Sequence, residues 1–392
     1  MQSDLSDWLL THYGQEQMRP GLSRMKEALK DLFPYFKNTK IITVAGTNGK
    51  GETTLRLSKL LGKGPHYVWT SPHIVSLTER MRNQKGEIPA EVLKSLILSC
   101  HEEVGQRKLE LSYYEFLFFV FCKWFSEAPA PYVLLEVGLG GRLDAVNVFD
   151  ADLVLLPSLS RDHQEILGKR YDQILSEKLG TLRGKTKLFH FLESEYLLEK
   201  AHSHARSLGA EVFALKRMTD VPVYEFSLRN YILAGAAYCS LRGEEFIPER
   251  WSKTPETLKH RGETITNENE WIFFGSHNTD GMRKLIQFLQ RGTYNFKRPP
   301  FDRVIVSFSK RNPEDTRVML RMLMKAQIGK VVVTVFDHPK AASKDVMEDL
   351  SREEGSEFVQ NINSFIEGQQ GQRILVTGSY YFLGYLKSCL RS

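Results

Sequence analysis

Apolar runs alternate with amphipathic stretches along most of the chain. In the first part, short runs that are apolar on both faces predict strands over residues 40–45, 66–70, 132–137, 153–159 and 186–191. Between them, apolar positions at helical spacing predict helices over residues 89–108, 113–127 and 171–183. Strands of this kind, separated by helices, form a parallel sheet that is covered on both sides.

A second alternating series follows a change in texture near residue 240. Residues 241–263, LRGEEFIPERWSKTPETLKHRGE, are charged, contain two prolines and lack periodicity, so they predict a linker. Later strands are predicted over residues 271–276, 303–309, 330–336 and 373–379, each followed by a helix. A chain of 392 residues suits two domains. We therefore expect one α/β domain over residues 1–255 and a smaller one over residues 256–392.

The net charge of the chain is small. Fifty-three Lys and Arg against 47 Asp and Glu leave +6, spread evenly along the sequence. This excess is too small to indicate a nucleic-acid-binding protein. It is compatible with an anionic small-molecule ligand, or with no particular ligand.

Cysteine usage and hydropathy indicate a compartment. Four cysteines that are far apart, without a C-x-x-C pair, predict free thiols in a reducing environment: Cys100, Cys122, Cys239 and Cys389. The N-terminal segment MQSDLSDWLLTHYG has early acids and no uninterrupted apolar stretch, unlike a signal peptide. The longest apolar run, Phe116 to Cys122, is far too short for a membrane span. We expect a cytoplasmic protein that binds neither membranes nor nucleic acid.

The first strand leads into TVAGTNGKGETTLRL, residues 43–57, which predicts an anion-binding loop. A strand that ends in Gly-rich sequence and opens a helix presents backbone N–H groups at the positive helix end, where Lys50 can neutralise phosphate charge. The Walker pattern G-x-x-x-x-G-K-[ST] is not met, because Val44 and Gly51 occupy two of its fixed positions. A tight strand-to-helix turn with an incidental lysine is therefore a second interpretation.

Acidic and imidazole side chains follow later strands. Glu136 lies near the end of one predicted strand, and Asp162 and His163 follow the next. Because open α/β sheets bind ligands beyond the carboxyl ends of their strands, these groups could hold Mg²⁺ against nucleotide oxygens. Taken alone, His163 fits a solvated loop histidine better. The segment GLGGR, residues 138–142, is followed by Leu143, where a dinucleotide fingerprint needs glycine, and this argues against a nicotinamide cofactor.

Several longer motifs occur in a characteristic order. They are PGLSRM (20–25), VAGTNGKG (44–51), TSPHIVSLTER (70–80), EVGLGGRLDAVN (136–147), DH-x-x-x-LG (162–168) and EKLG (177–180). In these motifs the chain resembles the folylpolyglutamate synthase and dihydrofolate synthase family, relatives of the muramyl peptide ligases. The match runs through the N-terminal two thirds. The last third resembles the family only in its α/β rhythm, in Arg261 and in His277-Asn278.

The resemblance implies an ATP-dependent amide ligase. It implies an N-terminal P-loop-type domain with a parallel sheet covered by helices, and a smaller C-terminal Rossmann-like α/β domain. In the implied reaction, ATP phosphorylates a carboxylate of dihydropteroate or a folate, and the α-amino group of L-glutamate attacks the acyl phosphate. This chemistry requires charge neutralisation and no covalent catalysis by the protein.

The resemblance also implies roles for individual residues. The ATP phosphates would be cradled by the loop residues Thr47, Asn48, Gly49, Lys50 and Gly51. Mg²⁺ would be held by Ser71, Glu136 and His163. Arg261, His277 and Asn278 would reach the nucleotide from the second domain.

The implied catalytic residues are Lys50, which would contact the transferring phosphoryl group, His163 and Lys178. Lys178 falls where the family often carries a carbamylated lysine, which turns a cation into an anionic metal ligand. Without the surrounding EKLG motif, a surface helix lysine would be the simpler interpretation.

Two departures from the family pattern concern the nucleotide. Glu52 stands where the family usually has Ser, and a carboxylate there suits a helix N-terminus but is repelled by polyphosphate. We expect Glu52 either to turn outward or to help ligate the metal. In FFGSHNTDG, residues 273–281, Phe274 and Thr279 replace the Asp and Pro that the family typically carries. These replacements weaken the expected nucleotide contacts from this side.

Three functions are compatible with these residues. The first is a ligase that adds glutamate to dihydropteroate, to a folate or to both. The second is a diverged ligase that uses the same ATP chemistry on another carboxylate, such as a cell-wall or peptide precursor. The third is a nucleotide-binding homologue that has lost ligation. We expect a monomer whose glutamate pocket is assembled between the domains by closure.

Overall fold

A computed structural model of the chain describes residues 2–15, 19–253, 261–291 and 300–390. The chain divides into two units. The first comprises Met1–Val221 and Ser227–Thr254, and the second comprises Pro222–Phe226 and Pro255–Ser392. Each unit is an α/β structure with its own mainly parallel sheet, which confirms the fold class that the alternating pattern predicts.

The first unit is built on one eight-stranded sheet. In chain order its strands are β1 (Lys40–Val44), β2 (His66–Trp69), β3 (Met81–Asn83), β4 (Gly86–Glu87), β5 (Tyr132–Glu136), β6 (Leu153–Leu156), β7 (Lys187–His190) and β8 (Glu211–Ala214). Their order across the sheet is β4-β3-β2-β5-β1-β6-β7-β8. Neighbouring strands in the series β2-β5-β1-β6-β7-β8 pair in parallel. At one edge β3 and β4 add an antiparallel hairpin.

Helices precede and follow these strands. They are α1 (Gln2–Tyr13), α2 (Ser23–Ala28), α3 (Phe33–Phe36), α4 (Lys50–Leu61), α5 (Ala90–Gln106), α6 (Tyr113–Glu127), α7 (Gln164–Leu167), α8 (Tyr171–Leu179), α9 (Glu195–Leu208) and α10 (Phe226–Arg242). In the part of the chain that the structure describes, no helix is both long enough and apolar enough to cross a membrane.

Both faces of this sheet are buried, as the two-sided apolar strands predict. Successive side chains of a strand point to opposite faces. In β1, Ile41 packs with α5 and α6, whereas Ile42 and Val44 pack with α4 and α10. In α6, aromatic side chains fill the first of these layers: Phe116, Phe118, Phe119, Phe121 and Phe125, each fully buried. Burying one such side chain contributes about 1.5–3 kcal/mol.

Helix α6 begins with a capping box. The Ser112 hydroxyl accepts the Glu115 N–H at 3.4 Å, and Glu115 Oε2 accepts the Ser112 N–H at 2.9 Å. Arg24 of α2 pairs with the same buried carboxylate at 2.9 Å. These contacts satisfy donors that a helix start leaves without partners.

The centre of the sheet places three loops side by side. Strand β1 lies between β5 and β6, and Val44 pairs with Glu136 on one side and Leu155 on the other. Because these strands are parallel, their carboxyl ends meet at one edge. The chain adds strands first on one side of β1 and later on the other, and this switch marks the ligand crevice of open α/β sheets. The candidate residues of the first unit follow the carboxyl ends of β1, β2, β5 and β6.

The second unit contains a six-stranded sheet. Its strands are β9 (Arg261–Thr266), β10 (Glu270–Gly275), β11 (Arg303–Ser307), β12 (Lys330–Thr334), β13 (Glu357–Val359) and β14 (Arg373–Gly378). Its helices are α11 (Thr279–Arg291), α12 (Pro313–Ala326), α13 (Lys344–Glu354), α14 (Ile362–Glu367) and α15 (Tyr380–Cys389). The order is β13-β12-β11-β14-β10-β9, and only β9 pairs antiparallel among these strands.

All nine predicted strands occur within or close to their predicted ranges. The prediction missed the short strands β3, β4, β8, β9 and β13, which are too brief or too polar to stand out. The linker prediction for 241–263 is wrong at both ends, because α10 continues to Arg242 and β9 begins at Arg261. Residues 254–260 of that segment lie outside the described residues. The sequence analysis did not predict the antiparallel pairing that β3, β4 and β9 add at the edges of the two sheets.

Candidate active site

The loop after β1 ends at a helix start with special backbone geometry. Gly49 has φ +88° and immediately precedes Lys50, the first residue of α4. A Cβ at Gly49 would lie 2.6 Å from Asn230 Oδ1, so both its backbone and its surroundings require glycine. The first N–H groups of α4 have no acceptor within the helix and lie at its positive end. This helix start is therefore a natural site for an anion.

The earlier part of the loop is bonded to the segment after β6. The Thr47 N–H donates to Ser158 O at 3.1 Å, and the Asn48 N–H donates to Ser158 Oγ at 2.9 Å. The Thr47 hydroxyl accepts the Ser160 N–H at 3.0 Å and donates to the Ser160 carbonyl at 3.1 Å. These bonds engage the backbone N–H groups of Thr47 and Asn48 within the protein. The N–H groups from Gly49 onward are thus better placed to receive phosphate oxygens.

Two lysines contact the carbonyl groups of this loop. Lys50 Nζ donates to Thr47 O at 3.2 Å. Lys178 of α8 is buried, and its Nζ donates to Gly46 O at 2.9 Å. Burial first, and then the nearby positive charge of Lys50, lower the pKa of Lys178 to about 7, against the opposing effects of Asp162 and Glu177. The Lys178 amine is therefore partly neutral near pH 7.

The GLGGR segment holds α8 against the loop after β5. The Arg142 N–H donates to Glu177 O at 2.8 Å, and the Arg142 guanidinium pairs with the Glu177 carboxylate at 2.8 Å. A Cβ at Gly141 would lie 2.8 Å from Glu177 O, and one at Gly180 would lie 2.4 Å from Arg142 Cβ. The glycines of this segment thus permit close packing beside Lys178. Their role explains the Gly-rich sequence without a dinucleotide.

Ser71 and Glu136 come together at the ends of β2 and β5. The buried Glu136 carboxylate accepts the Ser71 N–H at 3.0 Å. The Ser71 hydroxyl is buried and makes no hydrogen bond of normal geometry with the described residues. A hydroxyl in need of a partner beside a buried carboxylate is an oxygen pair that suits Mg²⁺. The residues present therefore fit part of the expected metal site.

His163 lies on the loop after β6 and is exposed. It has φ +50° and precedes α7, and its N–H donates to Asp162 Oδ1 at 3.1 Å. Its Nδ1 lies 3.6 Å from Glu165 Oε1. Within residues 2–15, 19–253, 261–291 and 300–390, no group of three or more His, Cys, Asp or Glu that could hold a metal occurs. The structure joins Ser71 to Glu136, and it places the His163 ring in solvent.

A buried chain of hydrogen bonds supports the loop after β5, and sequence reasoning assigned no role to its members. Trp69 Nε1 donates to the Tyr114 hydroxyl at 3.2 Å, which donates to Asp144 Oδ1 at 3.3 Å. Asp144 also accepts the N–H groups of Leu139 and Val146, at 2.9 and 3.1 Å. Burial raises the pKa of Asp144 to about 6, although these hydrogen bonds lower it. Only the position of Asp144 inside GLGGRLDAVN could have signalled it.

The segment that carries Ser71 is shaped by Glu79. Its carboxylate accepts the N–H groups of Ile74, Val75 and Ser76 at 3.0, 2.7 and 2.7 Å. A carboxylate that gathers successive backbone donors fixes the path of the chain between them. Glu79, near the end of the TSPHIVSLTER motif, thereby fixes the backbone of residues 74–76 earlier in the same motif.

The second unit carries three of the predicted nucleotide-binding residues. Arg261 begins β9, while His277 and Asn278 lie between β10 and α11. Asn278 Oδ1 accepts the Gly281 N–H at 2.8 Å and so caps α11. The His277 ring lies 5.1 Å from the Tyr380 ring, measured between centroids. Within this unit, His277 therefore lies beside the start of α15.

One curated relative aligns with nearly the whole chain, and another aligns with just under half of it. Over 421 residues it is 26% identical to the dihydrofolate synthase/folylpolyglutamate synthase of Bacillus subtilis, covering 95% of this chain and 96% of that protein. Over 187 residues it is 36% identical to the enzyme of the same name from Haemophilus influenzae, covering 46% of this chain and 42% of that protein. No family model matches the chain.

Solved structures share the fold. The bifunctional folylpolyglutamate synthase/dihydrofolate synthase of Yersinia pestis superposes with a TM-score of 0.78 at 25% identity, covering 99% of this chain and 98% of that one. In sequence and in fold the chain is similar to the dihydrofolate synthase/folylpolyglutamate synthases. Another structure, a bifunctional folylpolyglutamate synthase/dihydrofolate synthase with Mn, AMPPNP and L-glutamate bound, superposes with a TM-score of 0.79. It is 24% identical and covers 99% of this chain and 98% of that one.

Glu52 departs from the dihydrofolate synthase/folylpolyglutamate synthase pattern, and the structure corrects both expectations for it. Its carboxylate is buried and neither turns outward nor points to Ser71. It pairs with Arg56 of the same helix at 3.0 Å and accepts hydrogen bonds from Ser227 and Asn230 of α10. Sequence could not reveal this direction, because Ser227 and Asn230 lie 175 and 178 positions away.

Phe274, the second departure from the family, is a packing residue. Its side chain is half-buried against the core of the second unit, and its ring lies 6.0 Å from that of Phe288. Thr279 begins α11, next to the cap that Asn278 supplies. Both replacements thus have a structural explanation within this unit.

Proposed function

We propose that the protein is an ATP-dependent, ADP-forming ligase that joins L-glutamate to dihydropteroate, to folates or to both. The observation that carries the proposal is the loop of residues 46–51. Its helix start and Lys50 are suited to phosphate, and buried Lys178 contacts the same loop. The Ser71–Glu136 pair lies at the end of β5, the strand next to the one that leads into the loop. The AMPPNP and L-glutamate bound in the related structure fit this reaction.

The proposed reaction is the one that the family resemblance implies, and the groups around the loop suit it. The substrate carboxylate attacks the γ-phosphorus of ATP, the bond to the β-phosphate oxygen breaks, and ADP leaves. The glutamate amine, as its free base, then attacks the acyl carbon, and inorganic phosphate leaves as the amide forms. Lys50 and the first N–H groups of α4 stabilise charge on the phosphates in both steps. No covalent intermediate with a protein side chain is needed.

Mg²⁺ is the cation that this site would take. Ser71 and Glu136 would hold it, His163 would be a further ligand, and the ion would neutralise phosphate charge. The lowered pKa of Lys178 suits carbamylation, because only a neutral amine attacks CO₂. That attack forms a carbamate and releases a proton, so Lys178 would become an anion next to Gly46. In the second unit, Arg261, His277 and Asn278 are our proposed nucleotide contacts.

The packing of Glu52 and Phe274 supports the ligase over a homologue that has lost activity. Glu52 and Phe274 are the departures from the family pattern that favour such a homologue. Glu52 is paired with Arg56 and turned toward α10, and Phe274 packs against the core of its own unit. Glu52 therefore places no unpaired carboxylate in the phosphate loop.

We further propose that the protein acts as a cytoplasmic monomer. The four cysteines are free, and three of them are buried: Cys100, Cys122 and Cys239. Free buried thiols are typical of a reducing compartment. Analytical ultracentrifugation of the purified protein tests the monomer.

Release of ADP by the purified protein tests the function. Reactions contain Mg-ATP and L-glutamate, with dihydropteroate and tetrahydrofolate supplied separately. Release that requires both glutamate and one pterin substrate supports the ligase and identifies its acceptor. Binding of Mg-ATP without turnover on either acceptor would instead favour another carboxylate substrate.

A further inference from the structure

Glu52 is the acceptor at the centre of a buried polar network between α4 and α10. Its Oε1 accepts Arg56 Nε at 3.1 Å and Arg56 Nη2 at 3.0 Å, and it also accepts the Ser227 hydroxyl. Its Oε2 accepts Asn230 Nδ2 at 2.9 Å. Arg56 Nη2 donates in turn to Ser227 Oγ at 2.8 Å, which closes the network. The carboxylate is only 4% exposed.

The bond from Asn230 to Glu52 determines which way the Asn230 amide faces. A carboxylate accepts only, so the NH₂ group of Asn230 must point to Glu52. The whole amide lies against the loop, because its Oδ1, Nδ2 and Cγ would be 2.6, 2.9 and 3.0 Å from a Cβ at Gly49. Asn230 itself is buried, with 5% exposure. Glu52 thus holds the Asn230 amide in a fixed orientation against Gly49, the residue that precedes α4.

Electrostatics favour this role over a purely stabilising one. A buried ion pair gains little net stability, because desolvation of both charges offsets their attraction. Arg56 compensates the Glu52 charge, so the network adds no uncompensated anion near the phosphates. What the network does determine is the orientation of Asn230 and the position of Gly49 beside it.

We propose that Glu52 is a positioning residue for the nucleotide, acting through Asn230. It holds Asn230 against Gly49 and thereby fixes the first N–H groups of α4 in the geometry that receives phosphate. This inference rests on the proposed function of the loop. It accounts for an acidic side chain in the first turn of a phosphate-binding helix.

Glu52→Gln tests this role, because it keeps the shape of the side chain and replaces one acceptor oxygen by an NH₂ donor. If the glutamine oxygen stays with Arg56, its NH₂ group faces the NH₂ group of Asn230, donor against donor. We expect the dissociation constant for Mg-ADP, and the KM for ATP, to rise about tenfold with a smaller change in kcat, the loss of one hydrogen bond in a buried network.

Glu115→Gln is the matched control. It also removes the charge of a buried carboxylate that pairs with an arginine and caps a helix start, away from the loop. We expect Glu115→Gln to lower the free energy of unfolding by about as much as Glu52→Gln does. We expect it to leave Mg-ADP binding unchanged. Equal nucleotide binding by the two variants would overturn the role of Glu52.

A double-mutant cycle tests whether Glu52 acts through Asn230. Asn230→Leu removes the amide at similar volume. If the two residues act as a unit, Glu52→Gln should weaken Mg-ADP binding no further in the Asn230→Leu background. Independent, multiplying effects would overturn the proposed route. Urea unfolding confirms that each variant is folded before binding is measured.

The binding readout separates this inference from the proposed function. If the wild-type protein binds Mg-ADP but never ligates glutamate, the proposed function fails while the cycle still decides the role of Glu52. If the wild-type protein binds no Mg-ADP, both fail. If it ligates glutamate and the Glu52→Gln variant binds Mg-ADP normally, only the inference fails.

Discussion

The Nζ of Lys178 lies 2.9 Å from the carbonyl oxygen of Gly46, and this hydrogen bond joins α8 to the loop that begins α4. The two residues are 132 positions apart, and the GLGGR segment packs against α8 on the other side. A buried amine is thus held against the predicted phosphate loop. Its ionisation and its removal have consequences that can be measured.

Lys178→Met should change the pH dependence of stability. Burial lowers the pKa of Lys178 to about 7, so between that pH and 10.5 the folded protein binds fewer protons than the unfolded one. The destabilising effect of the charged amine is complete below pH 7 and is lost as pH rises to 10.5. The free energy of unfolding of the variant, minus that of wild type, should therefore be at least about 1 kcal/mol larger at pH 6 than at pH 9.

Urea unfolding at both pH values measures this gain. Lys185→Met, on an exposed residue, serves as the control and should show no such trend. A stability difference that is the same at pH 6 and pH 9 would contradict the lowered pKa of Lys178.

Lys50→Ala should abolish ADP release while the protein stays folded. The Lys50 amine donates a hydrogen bond to the carbonyl of Thr47, on the surface of the loop, so its removal should change the free energy of unfolding by no more than about 0.5 kcal/mol. Turnover and urea unfolding are measured on the same preparation. Lys59→Ala, an exposed lysine on the same helix, is the control and should retain turnover. Normal turnover by Lys50→Ala would exclude the phosphate role of the loop.

Gly49→Ala should impair both stability and nucleotide binding. The backbone strain at φ +88° costs roughly 1–2 kcal/mol. The new Cβ would also collide with Asn230 at 2.6 Å. Gly243 has φ +67° and open space around it, so Gly243→Ala reproduces the strain alone. We expect Mg-ADP binding to weaken at least about tenfold in Gly49→Ala and to stay normal in Gly243→Ala. Equal binding by both would mean that the contact with Asn230 is unimportant.

Glu136→Gln should raise the Mg²⁺ concentration needed for half-maximal ADP release by about tenfold or more. The carboxylate is buried beside the Ser71 hydroxyl, and an amide at that position offers one neutral oxygen in place of an anion. A magnesium titration at saturating ATP measures the change.

His163→Ala is the test of the exposed histidine in the same titration. If His163 approaches the metal when the nucleotide binds, the half-maximal Mg²⁺ concentration should rise severalfold. An unchanged titration curve would leave His163 as a solvated loop residue and remove it from the metal site.

His190→Asn should make the protein more resistant to acid. His190 is fully buried at the end of β7, and its Nδ1 accepts the Leu192 N–H at 3.2 Å. Burial lowers the pKa of His190 to about 3, with smaller effects from His202 and Arg217. The unfolded protein therefore binds more protons below pH 6.5, and stability falls as pH drops from 6.5 to about 3.

Asparagine can accept the same N–H and does not titrate. Between pH 7 and pH 4 the free energy of unfolding of the wild-type protein should therefore fall by on the order of 3 kcal/mol more than that of the variant. Urea unfolding at both pH values measures the difference. Parallel losses in the two proteins would show that His190 does not control acid stability.

Local patterns in the sequence were sufficient for the layout of the fold. Strands such as 132–137 are apolar on both faces, and only a parallel sheet between helices buries both, so the α/β class followed directly. The anion loop could be predicted because its chemistry is local, with a strand end, glycines, Lys50 and a helix start within fifteen residues. Short polar strands such as β9 could not be predicted, because their pairing depends on the neighbouring strand more than on their own residues.

Only the tertiary structure decided which groups of the site meet. Lys178 reaches Gly46, Ser71 reaches Glu136, and Glu52 turns away from the phosphates to Asn230. Each of these contacts joins residues far apart in sequence, and its direction depends on how a helix packs on the sheet. Hydrophobic periodicity determines that a helix packs but leaves the partners of its polar side chains open. Those partners are selected by the buried hydrogen bonds that the assembled sheet and helices allow.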